Sequence, residues 1–202
     1  MESSSSTSIR KSHSICIFGG ASHGNEACST EAVHNLGRTL GEKCIHVVYG
    51  GGSIEIMGGN AASAYMEGVK VVGIIPKPLA ESKITRATIG DEFSAVNMQD
   101  RITHLLNNAN AFITLPGGFG TLEELFHVVT RAQLNIHTKT HRSAKCFISE
   151  RAKRIIVVAT PPEEMIEKLI VFVPEPDPAL ANVVWTESFT VQKGKIDAFL
   201  SL

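Results

Sequence analysis

The stretch Ala111–Leu125, AFITLPGGFGTLEEL, joins a short apolar run to a glycine-rich turn and then to the start of a helix-like segment. Ala111–Leu115 reads as a strand buried on both faces, Pro116–Thr121 as the turn that leaves it, and Thr121–Ile136 as the helix that follows. Strand, tight turn and helix in that order make half of a parallel βαβ unit. The same rhythm recurs along the chain. Strands are predicted at Ser14–Phe18, His46–Tyr49, Val71–Ile75 and Ile155–Ala159, and helices at Thr30–Lys43, Gly58–Glu67, Met98–Asn108 and Pro162–Phe172. The fold class is therefore α/β, a parallel sheet covered by helices, and 202 residues suit a single domain, placed at 15–175. The polar, serine-rich residues 1–14 read as a disordered tail and residues 176–202 as a C-terminal extension without functional signal.

Periodicity assigns faces. In Met98–Asn108, the residues Met98, Ile102, Leu105, Leu106 and Ala109 fall on one stripe, with Arg101 beside it. In Thr121–Ile136, Leu122, Leu125, Phe126, Val129 and Leu134 are predicted to face the core. Glu123 and Glu124 are predicted in the first turn, where carboxylates suit the positive end of the helix dipole. Thr121 and Glu124 also fit the S/T-x-x-E capping box. The charged segment His137–Arg154 breaks the rhythm, with at most Lys145–Ile148 reading as a short strand.

A net charge of −1 offers no broad attraction to nucleic acid or anionic membrane, so a small molecule is the expected partner. Cys16, Cys28, Cys44 and Cys146 form no C-x-x-C pair and read as reduced thiols. No apolar run is long enough for a signal-peptide core or a membrane span, so the expected location is cytoplasmic, with the nucleus also open to the chain.

Three glycine-rich turns follow three predicted strands: GGASHG at Gly19–Gly24, GGGSIEIMG at Gly50–Gly58 and PGGFGT at Pro116–Thr121. In an open parallel sheet such turns share the carboxyl edge, where ligands bind. Glycine lets backbone N–H groups approach an anion closely, and a helix N-terminus adds its dipole. Phosphate is the natural guest. Neither G-x-G-x-x-G nor G-x-x-x-x-G-K-[ST] occurs, so dinucleotide and P-loop readings have no support. A carboxylate such as Glu124 beside a sugar phosphate is the equipment for breaking a glycosidic bond, because it stabilises an oxocarbenium-like centre and orients water.

PGGFGTLEE at Pro116–Glu124 resembles the P-G-G-x-G-T-x-x-E signature of the Lonely Guy family. VYGGGS…MG at Val48–Gly58, IPK at Ile75–Lys77, the Met-x-x-Arg element Met98–Arg101 and AQL…HTK at Ala132–Lys139 resemble further family segments. The resemblance covers about Ile15–Lys139 and, more loosely, Ile155–Val173. It implies a Rossmann-like, doubly wound sheet and a phosphoribohydrolase that splits cytokinin riboside 5′-monophosphates into the free base and ribose 5-phosphate. The family pattern makes Arg101 and Glu124 the catalytic pair and gives the phosphate to Gly117, Gly118, Gly120 and Thr121. Met98, Gly51, Gly52, Ser53 and Lys77 are further substrate-binding positions. The resemblance also implies no metal or organic cofactor, and a homodimer in which each chain completes its partner's site.

The chain departs from the family at Ile102, Glu55 and Glu81, where lysine, glycine and a basic residue are usual. After Lys139 the family continues into a strand and helix that are missing from this pattern, so one strand–helix unit is expected to be absent, with stability and dimer geometry weakened while the substrate edge survives. Two other functions fit the same residues: a nucleotide-binding, carrier-like protein without hydrolysis, and an adenosine monophosphate nucleosidase. Lysine decarboxylation would need a pyridoxal-phosphate lysine, for which the sequence supplies no context.

Overall fold

The computed structural model describes residues 13–20, 28–53, 55–82, 87–136, 140–142 and 162–172. In chain order these form β1 (Ser14–Phe18), α1 (Cys28–Glu42), β2 (His46–Tyr49), α2 (Glu55–Met66), β3 (Val71–Pro76), α3 (Lys77–Ser82) and β4 (Asp91–Ala95). Then come α4 (Met98–Asn107), β5 (Ala111–Thr114), α5 (Phe119–Gln133), β6 (Thr140–Arg142) and α6 (Pro162–Val171). The strands make one sheet in the order β4-β3-β2-β1-β5-β6, with every neighbouring pair parallel. From β1 the chain steps outward to β4, then returns across the sheet to lay β5 on the other side of β1. That reversal between β1 and β5 is the switch point of a doubly wound sheet, where a crevice opens at the strands' carboxyl ends.

Strand alternation explains the unbroken apolar runs. Ile15 and Ile17 of β1 point into a layer with Leu36 and Leu40 of α1, Ala61 and Ala64 of α2 and Ile166 and Leu169 of α6. Cys16 and Phe18 point the other way, into a layer with Ile102, Leu105 and Leu106 of α4 and Val128 of α5. Phe18 stacks there on Phe112 of β5, with ring centroids 5.9 Å apart. Both faces are covered, as a parallel sheet requires.

The predicted elements at β1, β2, β3, β5, α1, α2, α4, α5 and α6 are present, with ends shifted by a few residues. Besides β6, two were not predicted. Strand β4, DEFSA, carries mostly exposed side chains and pairs on one side only, so it lacks the apolar run that marked the others. Helix α3 is six residues long and buries none of them. The strand expected to be missing after Lys139 has a three-residue counterpart, β6, which registers Thr140 against Ala111 and covers the edge of β5. Lys145–Ile148, Ile155–Ala159, residues 1–12 of the N-terminal segment and the extension 176–202 lie outside the described residues, while Ser14, placed in the tail, is a buried residue of β1.

Helix α5 corrects the local reading most. It begins at Phe119 behind Gly118, which caps it without a side-chain hydrogen bond, and its first turn holds no acidic residue. Thr121 and Glu124 therefore do not form the capping box: both are buried, and Glu124 has a partner on another helix. Leu125, Val128 and Val129 face the core, while Leu122 and Phe126 lie on the exposed face at 41% and 48% accessibility. Met98 of α4 is likewise exposed rather than in the core stripe.

A tyrosine fastens the loop before β4. The Tyr49 hydroxyl accepts the Ile89 N–H at 2.7 Å and donates to the Ile89 carbonyl at 3.2 Å. Burial, its largest influence, raises the phenol to about 12. The neutral phenol is thus favoured when folded, and stability held below pH 10 is expected to fall as pH rises from 10 towards 12. Tyr49→Phe should cost about 1–3 kcal/mol in urea denaturation at pH 7 and flatten that alkaline decline.

Candidate active site

The turns after β1, β2 and β5 meet at the crevice. Gly20 N–H donates to the Pro116 carbonyl at 3.0 Å, tying the first turn to the third. Gly117 has no room for a side chain, since a Cβ would run into the Thr121 hydroxyl and come 2.7 Å from the Gly20 nitrogen. Gly51 has φ +82°, and its Cβ would press on Ile75 of β3. Gly50 leaves space for a side chain from elsewhere: a Cβ there would stand 2.5 Å from Nη2 of Arg101.

Arg101 comes from the first helical residues of α4 and Glu124 from the second turn of α5. Their side chains, 12% and 6% exposed, join through Nη2 and Oε1 at 2.7 Å. Asn97 caps α4 by accepting the Asp100 N–H at 2.9 Å, and the Arg101 N–H donates to the Asn97 carbonyl at 2.9 Å. The helix that carries Arg101 is therefore fixed at its first residue.

Opposing influences act on the Glu124 carboxyl. Burial dominates and raises it above its ordinary 4.5; the Arg101 guanidinium pulls it down, and the neighbouring Glu123 adds an upward push. A carboxylate poised this way remains a strong acceptor while being held in a nearly dry position.

The pair opens on a cavity of about 420 Å³, a size that takes a small ligand. Its wall at the start of α5 is Gly118, Gly120 and Thr121, with Glu123 at the side. Gly19, Gly20, Gly50 and Gly52 form the floor, and Met57, Ile75, Pro76, Leu79 and Met98 make an apolar side. A Cβ on Gly118 or Gly120 would meet nothing within 4 Å, and neither residue has positive φ. The fold itself does not demand glycine at these two positions; backbone access to the cavity does.

Of the predicted site residues, Arg101, Glu124, Gly118, Gly120, Thr121, Met98 and Gly52 thus line one cavity. Gly117 and Gly51 support it from behind. Ser53 places its backbone carbonyl against Gly58 and does not line the cavity. Lys77 also lies outside the lining, on the exposed face of α3, 3.9 Å from Glu81. Sequence reasoning gave no ligand role to Met57, Leu79 or Glu123, nor to Gly50 beyond its place in the Gly50–Gly58 turn. Met57, Leu79 and Glu123 stand on α2, α3 and α5, and only the fold brings them to one cavity.

Several known proteins are similar to this chain. A family described as "Possible lysine decarboxylase" matches residues 57–142. A cytokinin riboside 5′-monophosphate phosphoribohydrolase of Arabidopsis thaliana is 39% identical over 191 residues, covering 86% of this chain and 88% of that protein. A second Arabidopsis thaliana phosphoribohydrolase of that name is 37% identical over 199 residues, 88% of this chain and 93% of the other. One from Oryza sativa subsp. japonica is 37% identical over 191 residues, covering 86% and 78%. Among solved structures, the molybdenum cofactor binding protein of Rippkaea orientalis superposes with a TM-score of 0.62 at 16% identity, over 80% of this chain and 99% of that one. The Moco carrier protein of Chlamydomonas reinhardtii gives 0.59 at 14% identity, over 79% and 98%. At those identities the likeness is one of fold.

Removing the arginine should expose the burial cost of its partner. Arg101→Met is expected to lose about 3–5 kcal/mol in urea denaturation at pH 7, because the buried Glu124 carboxyl loses the cation that answers it. The deficit should shrink as pH falls through the raised pKa of Glu124, where the carboxyl becomes neutral.

Proposed function

The chain belongs to the Lonely Guy family of cytokinin riboside 5′-monophosphate phosphoribohydrolases, and on that premise we propose that it hydrolyses the N-glycosidic bond of such nucleotides. The products are the free adenine-type base and ribose 5-phosphate. The observation that carries this reading is the buried Arg101–Glu124 pair, 2.7 Å apart, opening on the same cavity as the N-terminus of α5.

The roles follow from charge. The nucleotide's phosphate lies against the first turn of α5, where Gly118 and Gly120 let it reach backbone N–H groups and Thr121 adds a hydroxyl. Gly117, Gly51 and Gly52 shape the turns around it, and Met98 contacts the nucleoside. Positive charge develops at C1′ as the bond to the base stretches, and the Glu124 carboxylate stabilises it and orients the attacking water. The water oxygen bonds to C1′, the C1′–N electron pair leaves with the base, and the water proton ends on the base nitrogen. Arg101 counters part of the burial that favours the neutral acid and fixes the direction of Glu124. No step calls on a metal or organic cofactor.

The apolar side formed by Met57, Ile75, Pro76, Leu79 and Met98 supports a base with an apolar N6 substituent over bare adenine. The exposed Phe119, Leu122 and Phe126, spaced along one face of α5, form an apolar stripe beside the cavity. A second copy of the chain covers that stripe and completes the site. A cytoplasmic location accords with the free thiol Cys44; among the described residues, no helix is long and apolar enough to cross a membrane.

Incubation with isopentenyladenosine monophosphate and with adenosine monophosphate, following free base by chromatography, tests the reaction. Base release is expected from wild type, faster from the prenylated nucleotide, and about 100-fold or more slower from Glu124→Gln. The reaction needs Glu124 ionised, so the rate should fall on the acid side with a midpoint above 4.5. Tight nucleotide binding with no base release would instead favour the carrier-like reading. Phe126→Glu is expected to convert a sedimenting dimer to monomer; an unchanged dimer would move the interface elsewhere.

A further inference from the structure

Arg101 is held in place by more than its ion pair. The residue before it, Asp100, makes three contacts at the start of α4: its N–H donates to Asn97 Oδ1, its Oδ2 accepts the Val96 N–H at 2.8 Å, and its Oδ1 lies 3.2 Å from His104 Nε2. His104, one turn on, is 9% exposed and packs its ring on Phe93 of β4, with centroids 4.3 Å apart and planes tilted by 56°. Its Nδ1 is buried with no hydrogen-bond partner among the described residues, so its polar contact is the one that Nε2 makes with Asp100. Neither residue lines the cavity.

We propose that Asp100 and His104 form a positioning pair for Arg101, fastening the first turn of α4 to strand β4 so that the guanidinium stays aligned on Glu124. The need is physical. First-turn residues fray because their N–H groups lack intrahelical partners, and β4 is an exposed edge strand that gives little support. The Asp100 carboxylate bonds the N–H just ahead of the cap and His104 holds that carboxylate from the next turn. Phe93 anchors the imidazole to the strand that α4 has just left. A shift of about 1 Å at a group aligned on the reacting centre is enough to cost on the order of 100-fold in rate.

This inference rests on the hydrolase reading, and the test separates the two. Asp100→Ala should remain folded and lower kcat for base release at least tenfold while KM changes less than threefold. Asp100→Asn, which keeps an oxygen for Val96 but offers an amide to His104, should fall between that variant and wild type. His104→Phe, which keeps a ring on Phe93 and removes Nε2, should also lower kcat. In an Arg101→Met background, Asp100→Ala should cost less than a further twofold, because its effect runs through Arg101. A kcat within twofold of wild type in Asp100→Ala and His104→Phe overturns the proposal, as does a loss that multiplies in full with that of Arg101→Met. If Asp100→Ala does not fold, Asp100→Asn and His104→Phe decide it. If wild type itself releases no base, the hydrolase reading fails instead, and hydrogen exchange at the Arg101 amide decides the positioning claim. Protection there should drop at least tenfold in Asp100→Ala, and unchanged protection overturns it.

Discussion

Burying a carboxylate is costly unless a cation meets it in good geometry, and Glu124 is 5% exposed with its charge answered by one guanidinium at 2.7 Å. The site is built around that constraint. The partners come from different helices, so the starts of α4 and α5 must converge on one edge of the sheet. The chain reversal between β1 and β5 supplies the convergence, and Gly50 at the end of β2 leaves the guanidinium its space. Asn97, Asp100 and His104 then fix the helix that carries it.

The same constraint makes the pair chemically useful. A carboxylate with ordinary hydration would gain little by facing a developing cation. One held nearly dry, pulled up by burial and down by a single arginine, would gain more from the positive charge that the proposed reaction develops at C1′. In the proposed reaction, phosphate at the helix end and an apolar wall on the far side would leave the ribose between them, so that the cavity's chemistry would orient the nucleotide.

Much of this was legible in the sequence. Apolar runs ending in glycine or proline located β1, β2, β3 and β5, because strands buried on both faces cannot hide their composition. Strand β4 and the short β6 sit at the two edges of the sheet, where composition carries no such signature. The capping-box reading of Thr121 and Glu124 failed for a definite reason: helix α5 starts two residues earlier, which turns both side chains inward. The exposure of Leu122 and Phe126 also contradicts helical periodicity alone, and that departure is where the proposal of a partner surface begins. Arg101 could be named from the sequence through family resemblance, but the pair that holds it could not, since a capping aspartate and a surface aspartate look alike until the fold places His104 and Phe93 around one of them.

The most direct test of the account is a crystal structure of the protein with ribose 5-phosphate bound. The phosphate is expected on the backbone of Gly118–Thr121 at the start of α5, and C1′ turned towards the Glu124 carboxylate with Arg101 still paired to it. A phosphate bound elsewhere, or C1′ directed away from Glu124, would contradict it.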